Sequence, residues 1–400
     1  MRFIGFSTSL THDAPGHYKP FHLALNNEFQ RIDPKSFYIG AETTDGNTVW
    51  WFPWAPKTLR TRPNYASRKK INDLKALLGN QEGLLINYEG RISHIFLLSY
   101  IARITNVQVL LNFHYTSELT KFTKSKIGSA LFYRIICFGE YISNQKLIFT
   151  AESHQLSSEL MKKIGREFPA FPIFSVLEKP NLSEIAKWKN EDFVWVVCRI
   201  KENSPESDSL ECAIKNNPES HFLIHGLNAN LANRYRKFPN VELQELYINL
   251  ENYREKLFTC SSVILLYDTN SYRNHSSGRL VDCIIFEREF IVPKGMPIPA
   301  HLENSEFVDE LTLDEIANMN FPRAAKPHNT RPSISPDAIW AVQELKDIFD
   351  RFDKKPAGSA TSYKATFFIL WIVSLLVRGI ASVYFRIISF IPNLLSRLKN

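Results

Sequence analysis

The stretch that decides the fold is 263–293, VILLYDTNSYRNHSSGRLVDCIIFEREFIVP. It holds two apolar runs, 263–267 and 290–293, on either side of a turn of small residues and an amphipathic segment. Runs that are apolar throughout are typical of strands buried on both faces of a parallel sheet. The stretch therefore predicts a strand, a tight turn, a helix and a second, parallel strand.

Similar apolar runs recur along the chain, and longer amphipathic segments separate them. In the first half they are 2–7, 36–39, 84–88, 107–113 and 147–150, and in the second half they are 193–200, 221–224 and 241–243. Strands that alternate with helices predict an α/β fold with doubly wound, Rossmann-like sheets, whose ligands bind beyond the carboxyl ends of the strands. The alternation starts again near residue 190, after a proline-rich connection. We therefore expect two domains, 1–172 and 173–353, that face a cleft.

The composition fits a globular protein and argues against several classes. Of the 400 residues, 44% are hydrophobic and 13% are aromatic, and the formal net charge is +7. This charge is modest and no nucleic-acid-binding signature accompanies it, so nucleic acid is not an expected partner. The five cysteines are scattered without a C-x-x-C pair, which argues against structural zinc and disulfides and predicts a reducing compartment. The first ten residues lack the features of a signal peptide, so we expect the working part of the chain in the cytoplasm.

The C-terminal segment, 365–400, differs in character from the rest and follows a linker of flexible composition, 354–364. Residues 365–377 carry no charge, but this run is shorter than the ~20 residues that span a bilayer. Beyond it, arginines and serines recur along one helical face, and apolar residues lie largely opposite. The pattern predicts a helix that lies in a membrane interface, on the cytoplasmic side. A single spanning helix, or a helix that packs on its own domain or on a dimer partner, is the alternative.

Two strands of the second half end in residues suited to a phosphate ligand. Arg199 and Lys201 close the first of them, and such a pair can hold a diphosphate, although two solvated charges would give the same pattern. Gly226 ends the next strand and would let a ligand approach the backbone. Motifs of P-loop phosphoryl transfer, zinc proteolysis and α/β-hydrolase chemistry do not occur.

The small-residue turn before the predicted helix suggests an anion site. Free backbone N–H groups and the helix dipole favour anions at a helix start, and Ser277 and Gly278 are small enough to let a phosphate come close. Asp282 follows one helical turn later, where a carboxylate can accept hydrogen bonds from ribose hydroxyls. Serine and glycine also make a good N-cap and turn, so the structural interpretation stays open.

The order of these pieces resembles the donor half of a GT-B glycosyltransferase, and within that class the retaining family 4 enzymes. The resemblance covers residues 190–300 well and the first half more loosely. The segments that carry it are 199–201, 222–226, 240–243, 253–260, 261–268, 276–282 and 290–295.

The resemblance implies a role for the strand-end cations. Arg199 matches the arginine that compensates the charge of the sugar-nucleotide diphosphate. The family's lysine, five residues later, falls on Ser204, and Lys201 would substitute for it. Both cations are therefore expected to act in catalysis.

The resemblance also assigns the helix start to donor binding. Ser277 and Gly278 match the amides that bind phosphate, and Asp282 matches the second of two paired glutamates, the one that holds the ribose. The first glutamate of the pair falls on Asn274, which can still bond a sugar hydroxyl. Tyr267 would line the sugar pocket, although buried tyrosines with a purely structural role are common.

Candidate residues of the first half rest on the looser part of the resemblance. The loop 13–19 is similar to the glycine-containing loop that faces the donor, so Gly16 would bind the donor and His17 the acceptor. His114 follows a strand and resembles the family's histidine near the reacting carbon, a catalytic position. Glu89 would contact the acceptor. For His114 the alternative is a strand-end histidine that hydrogen-bonds the backbone, and for Glu89 it is a structural role.

Together these features predict a metal-independent hexosyltransferase that needs no cofactor and uses a nucleotide-diphosphate sugar as donor. Retention of the anomeric configuration follows only from the family resemblance. The predicted acceptor is lipid-linked or a glycan, in polysaccharide biosynthesis at a membrane surface. Two alternatives are a nucleotide-sugar epimerase of the same fold and a non-catalytic membrane-attached scaffold with a degenerate transferase fold.

Overall fold

Two six-stranded parallel sheets form the framework of the chain. The computed structural model describes residues 2–7, 18–40, 49–51, 68–113, 119, 123–175, 177, 181–188, 192–244, 250–268, 277–286, 288–296, 298, 302, 305, 307–321 and 338–351. Gly16, His17, His114, Asn274 and the whole C-terminal segment 365–400 lie outside these residues.

The first sheet has the strand order β3-β2-β1-β4-β5-β6. Its strands are β1 (Arg2–Phe6), β2 (Phe37–Gly40), β3 (Val49–Trp51), β4 (Gly83–Gly90), β5 (Val107–Phe113) and β6 (Leu147–Ala151). The accompanying helices are α1 (Tyr18–Ile32), α2 (Arg68–Leu78), α3 (Ile92–Ile104), α4 (Lys126–Ser143) and α5 (His154–Ile164). The order reverses between β1 and β4, as in a doubly wound sheet.

The second sheet repeats this arrangement with the order β12-β11-β10-β7-β8-β9, and its five strand pairs are parallel. Its strands are β7 (Phe193–Arg199), β8 (His221–His225), β9 (Val241–Gln244), β10 (Ser262–Tyr267), β11 (Phe290–Pro293) and β12 (Val308–Leu311). The helices are α6 (Leu182–Lys187), α7 (Pro205–Asn216), α8 (Ala229–Tyr235), α9 (Leu250–Thr259), α10 (Gly278–Ile285), α11 (Leu313–Ala317) and α12 (Ala338–Asp350). The switch point lies between β7 and β10.

The central strands of the second sheet are buried on both faces because successive side chains point to opposite sides. Trp195 and Val197 of β7 belong to a core that includes residues of α9 and α10. Val194 and Val196, between them in sequence, belong to a second core with residues of α7 and α8. This two-sided burial explains why the strand sequence is apolar throughout.

The chain divides into two compact units, and each unit combines segments that are separate in sequence. The first unit holds 1–11, 32–149 and 352–400, and the second holds 12–31 and 150–351. Helix α1 therefore belongs to the second unit, where the ring of Phe21 stacks on that of Phe174 at 4.3 Å between centroids. The side chain of Gln155 also joins this unit, donating to the carbonyl of Ile298 at 2.8 Å. The predicted domain limits, 1–172 and 173–353, take account of neither feature and stay predictions.

The prediction of an α/β fold with two parallel sheets is confirmed, and all ten predicted strands are present. Two short edge strands, β3 and β12, had not been predicted. β12 reads VDEL, and its two consecutive carboxylates hide it from a search for apolar runs. No helix among the described residues is long and apolar enough to cross a membrane.

Candidate functional site

The candidate site lies at the carboxyl edge of the second sheet, where the strand order reverses. Arg199 of β7 is in register with Tyr267 of β10, and Val197 is in register with His225 of β8. Because side chains alternate along a strand, Arg199, His225 and Tyr267 share the sheet face that α9 and α10 cover. This switch point is where ligands bind in doubly wound sheets.

Gly226 turns the chain sharply at the end of β8. Its φ is +92°, and a Cβ added there would lie 2.4 Å from the carbonyl oxygen of Cys198. Only glycine combines this backbone conformation with so close an approach. Gly226 therefore has a clear structural role in holding β8 against β7, whatever ligand binds nearby.

The N-terminus of α10 is open at the same edge. Ser277 is the N-cap and accepts a hydrogen bond from the backbone N–H of Arg279, and its hydroxyl lies 3.2 Å from that of Tyr267. Gly278 is exposed, and no described residue lies within 4 Å of the position that a Cβ would occupy. The first turn contains no acidic residue. The N–H groups of Arg279 and Leu280 already donate to Ser277, which leaves those of Ser277 and Gly278, together with the positive end of the helix dipole, for an anion.

The two predicted cations differ in their surroundings. Arg199 is exposed at the end of β7, and the backbone N–H of Asp268 donates to its carbonyl at 3.0 Å. Lys201 is exposed but forms an ion pair with the buried carboxylate of Asp268. Ser204, at the position of the family's lysine, is the N-cap of α7 and accepts from the N–H of Ser207. The structure thus brings Arg199 and Lys201 to one strand end and gives Ser204 a helix-capping role.

Asp282 lies beneath the helix N-terminus rather than on its surface. It is 5% exposed, and its two oxygens accept hydrogen bonds from Ser175 Oγ at 2.5 Å and from the Tyr253 hydroxyl at 3.1 Å. Burial, followed by the nearby Asp282 charge, raises the pKa of Tyr253 well above its usual value, so the phenol stays a donor. The carboxylate that was predicted to hold the ribose therefore already accepts hydrogen bonds from two protein hydroxyls.

Arg279 and His225 are functional candidates that sequence reasoning missed. Arg279 Nη2 lies 3.5 Å from His225 Nε2, and its guanidinium lies 5.7 Å from the centroid of the Tyr253 ring. Burial, and then the charges of Arg279 and Arg199, lower the pKa of His225 to about 4, so the imidazole is neutral near pH 7. The sequence signal that could have identified Arg279 is its position directly after Gly278, in the first turn of the predicted helix. The helix dipole disfavours a cation there, so an arginine at this position is unusual.

The remaining predicted residues are not brought together with this site by the described part of the chain. Gly16, His17, His114 and Asn274 lie outside it. Glu89 lies in β4 of the first unit, and only its backbone is described. The described residues contain no group of three or more side chains that could hold a metal ion.

Comparison with known proteins gives matches at the level of structure alone. No family model matches the chain, and no curated protein matches it. A solved structure of AviGT4, a glycosyltransferase involved in avilamycin A biosynthesis, is 9% identical, with a TM-score of 0.50 over 88% of this chain and 98% of that one.

Two further structures give lower scores. One is a putative UDP-N-acetylglucosamine 2-epimerase from Listeria monocytogenes, 9% identical, with a TM-score of 0.49 over 90% of this chain and 99% of that one. The other is HepE from Anabaena in complex with UDP, 12% identical, with a TM-score of 0.47 over 95% and 100%. The likeness to AviGT4 shows a GT-B type of fold and only the fold.

Proposed function

We propose that the chain is a glycosyltransferase that takes a sugar from a nucleoside-diphosphate donor bound at the carboxyl edge of the second sheet. One observation supports the proposal above all. The N-terminus of α10, whose first turn has no acidic residue, and Arg199 lie together at the switch point of a GT-B type fold. A diphosphate is the group in such a donor that needs both cations and backbone N–H groups.

The expected chemistry is a displacement at the anomeric carbon. The bond to the diphosphate oxygen breaks, and its electron pair leaves with the nucleoside diphosphate. The acceptor hydroxyl forms the new C–O bond and gives up its proton to a base or to solvent. Arg199 and the amides of Ser277 and Gly278 would stabilise the charge that develops on the leaving group, which is the largest electrostatic demand of the reaction.

Lys201 would join them only by exchanging its carboxylate partner. It now pairs with Asp268, which is buried and would keep a negative charge next to the site. We propose that Lys201 tunes the charge at the strand end, while Arg199 contacts the diphosphate. Metal independence and retention of configuration are part of the proposal. The first rests on the lack of an Asp-x-Asp motif in a supporting sequence context, and the second rests on the family resemblance.

The acceptor side is proposed from sequence alone. Gly16 would face the donor, His114 would lie near the reacting carbon, and His17 and Glu89 would contact the acceptor. The amphipathic pattern of 365–400 supports a lipid-linked acceptor, because a helix in the membrane interface would keep the enzyme at the cytoplasmic surface where such acceptors reside.

Donor binding tests the proposal directly. Isothermal titration calorimetry with a panel of UDP- and GDP-sugars should find at least one that binds, and Arg199→Ala should weaken it tenfold or more. Hydrogen bonds to a charged group contribute about 1.5–3 kcal/mol, and 1.4 kcal/mol is tenfold in affinity. Arg236→Ala, which removes an exposed cation of α8's C-cap, is the matched control and should bind like the wild type. Failure of every donor to bind would overturn the proposal.

Product analysis separates the proposed transferase from the alternatives. Incubation of the bound donor with lipid-linked and glycan acceptors should release the nucleoside diphosphate and yield a longer acceptor. Conversion of the donor into an isomeric sugar nucleotide would identify an epimerase. A donor that binds but remains unchanged with every acceptor would favour the scaffold.

Membrane attachment has its own test. The full chain should partition with vesicles that contain acidic lipid, and a chain that ends at Lys354 should remain in the aqueous fraction without detergent. Recovery of the shortened chain with the vesicles would refute attachment through 365–400.

A further inference from the structure

Arg279, the second residue of α10, forms no close ion pair with a carboxylate among the described residues, although Asp282 interacts with it electrostatically. One nitrogen approaches the neutral imidazole of His225 at 3.5 Å, and the Tyr253 ring lies under the guanidinium. A guanidinium carries five N–H donors. The ring and a single acceptor engage only part of this capacity, so most of it is left for solvent or a ligand.

Although burial lowers the pKa of Arg279, electrostatic interactions with Tyr267, Tyr253 and Asp282 outweigh it and raise the pKa, so the guanidinium is charged before any ligand binds. A helix N-terminus carries about half a positive charge, which repels a cation in the first turn. The first turn of α10 has no acidic residue, and Arg199 adds positive charge at the neighbouring strand end, where Lys201 is paired with Asp268. Half-buried charge is costly unless it is paired. An anion bound at the helix N-terminus would relieve the repulsion.

His225 is held in the form that can orient Arg279. Its side chain is 3% exposed, and its Nε2 faces the guanidinium, so a neutral imidazole that accepts there carries its hydrogen on Nδ1. That Nδ1 is buried and has no hydrogen-bond partner among the described residues. Leaving a buried donor unsatisfied is unfavourable, and such groups usually have a functional explanation. The explanation available here is that the imidazole fixes the guanidinium over the Tyr253 ring.

We propose that Arg279 is the second anion-binding cation of the site and contacts the diphosphate of the donor, with His225 as its positioning residue. Arg279 would then fill the role that the family resemblance assigned to a lysine at Ser204. The identity of the ligand rests on the proposed function, whereas the presence of an anion site does not.

Binding of inorganic pyrophosphate to the full chain tests the anion site without a sugar or a nucleoside. Arg279→Gln should weaken pyrophosphate binding at least tenfold and make it less sensitive to salt, because one cationic contact is lost. Arg279→Lys keeps the charge but not the fork of parallel donors, so its affinity should fall between the two. Arg236→Gln, on the exposed C-cap of α8, is the control and should have no effect.

The role of His225 is tested by a double-mutant cycle. His225→Phe should weaken pyrophosphate binding in the wild type and have no further effect in Arg279→Gln, since it acts through that residue. His225→Gln, which retains an acceptor, should restore part of the affinity and serves if His225→Phe does not fold. Equal losses in both backgrounds would overturn the positioning role.

The outcomes separate this inference from the proposed function. If pyrophosphate and a sugar nucleotide bind the wild type but Arg279→Gln binds both equally well, the role of Arg279 is refuted and the transferase proposal stands. If pyrophosphate binds through Arg279 but no sugar nucleotide does, the anion site stands and the transferase proposal falls. If the wild type binds neither, both are wrong.

Discussion

Replacement of Gly226 by alanine should destabilise the second unit through two separable effects. The first is backbone strain, because a residue with a Cβ is unfavourable at φ +92°. The second is a collision, because the new methyl would lie 2.4 Å from the carbonyl oxygen of Cys198. That oxygen belongs to the backbone of β7 and cannot rotate away, so the ends of β7 and β8 would have to separate.

The two effects can be given magnitudes. Strain in a sparsely populated backbone region costs about 1–3 kcal/mol, and forcing an extra group into a packed region costs about 1–3 kcal/mol more. Alanine also restricts the unfolded chain, which offsets about 0.4–1 kcal/mol. The net loss for Gly226→Ala should therefore be about 1–5.5 kcal/mol.

Two other glycines of the same unit provide the matched controls. Gly295 has φ +86° and no described residue within 4 Å of an added Cβ, so Gly295→Ala should show the strain alone. Gly278 lacks a positive φ, and among the described residues it has no neighbour within 4 Å of an added Cβ, so Gly278→Ala should leave stability nearly unchanged. Urea unfolding followed by circular dichroism should give the highest midpoint for Gly278→Ala, an intermediate one for Gly295→Ala and the lowest for Gly226→Ala. A midpoint for Gly226→Ala equal to that of Gly295→Ala would refute the collision with Cys198.

Three further predictions concern buried or paired polar groups of the second unit. Glu211→Gln should lower the free energy of unfolding by about 1 kcal/mol. Hydrogen bonds from Lys215 and then Arg234 lower the pKa of Glu211 to about 2, so the difference between variant and wild type should shrink as the pH falls from about 4.5 towards 2. A difference that grows as the pH falls would contradict this. Tyr253→Phe should cost about 1.5–3 kcal/mol in urea unfolding by removing a donor to buried Asp282, and an unchanged midpoint would argue against that bond. The folded-state pKa of His225 lies below its usual 6.5, so on acidification the unfolded chain binds the proton before the folded chain does. Stability should therefore decrease as the pH is lowered from about 6.5 to 4. His225→Gln should lack this component, and identical pH profiles would refute it.

The central strands of both sheets could be predicted because their burial on two faces makes their sequences mostly apolar. The edge strand β12 could not, since an edge strand is half solvated and its glutamate and aspartate obscure the run. The assignment of α1 to the second unit also escaped prediction. The Phe21–Phe174 stack that accompanies it joins residues far apart in sequence, and no local pattern encodes such a contact.

The candidate site was predictable where it depends on strand ends and helix starts. Arg199, Ser277 and Gly278 follow from local signals, and the structure places them at one switch point. The surroundings of Asp282 could not be predicted, because its hydroxyl partners come from Ser175 and Tyr253, which lie 107 and 29 residues away.

The stacking of Phe21 on Phe174 has a consequence for how the chain is made. Every strand of the first sheet has been translated by residue 151, yet helix α1 must wait for the ring of Phe174. At ~5–20 residues per second, the ribosome needs on the order of 10–30 s to add the chain from Phe21 to Phe174. During this time the nascent chain carries Phe21 without its aromatic partner. Folding of the early half is thus completed only by the late half, so a fragment cut near residue 150 should be less soluble than the full-length protein.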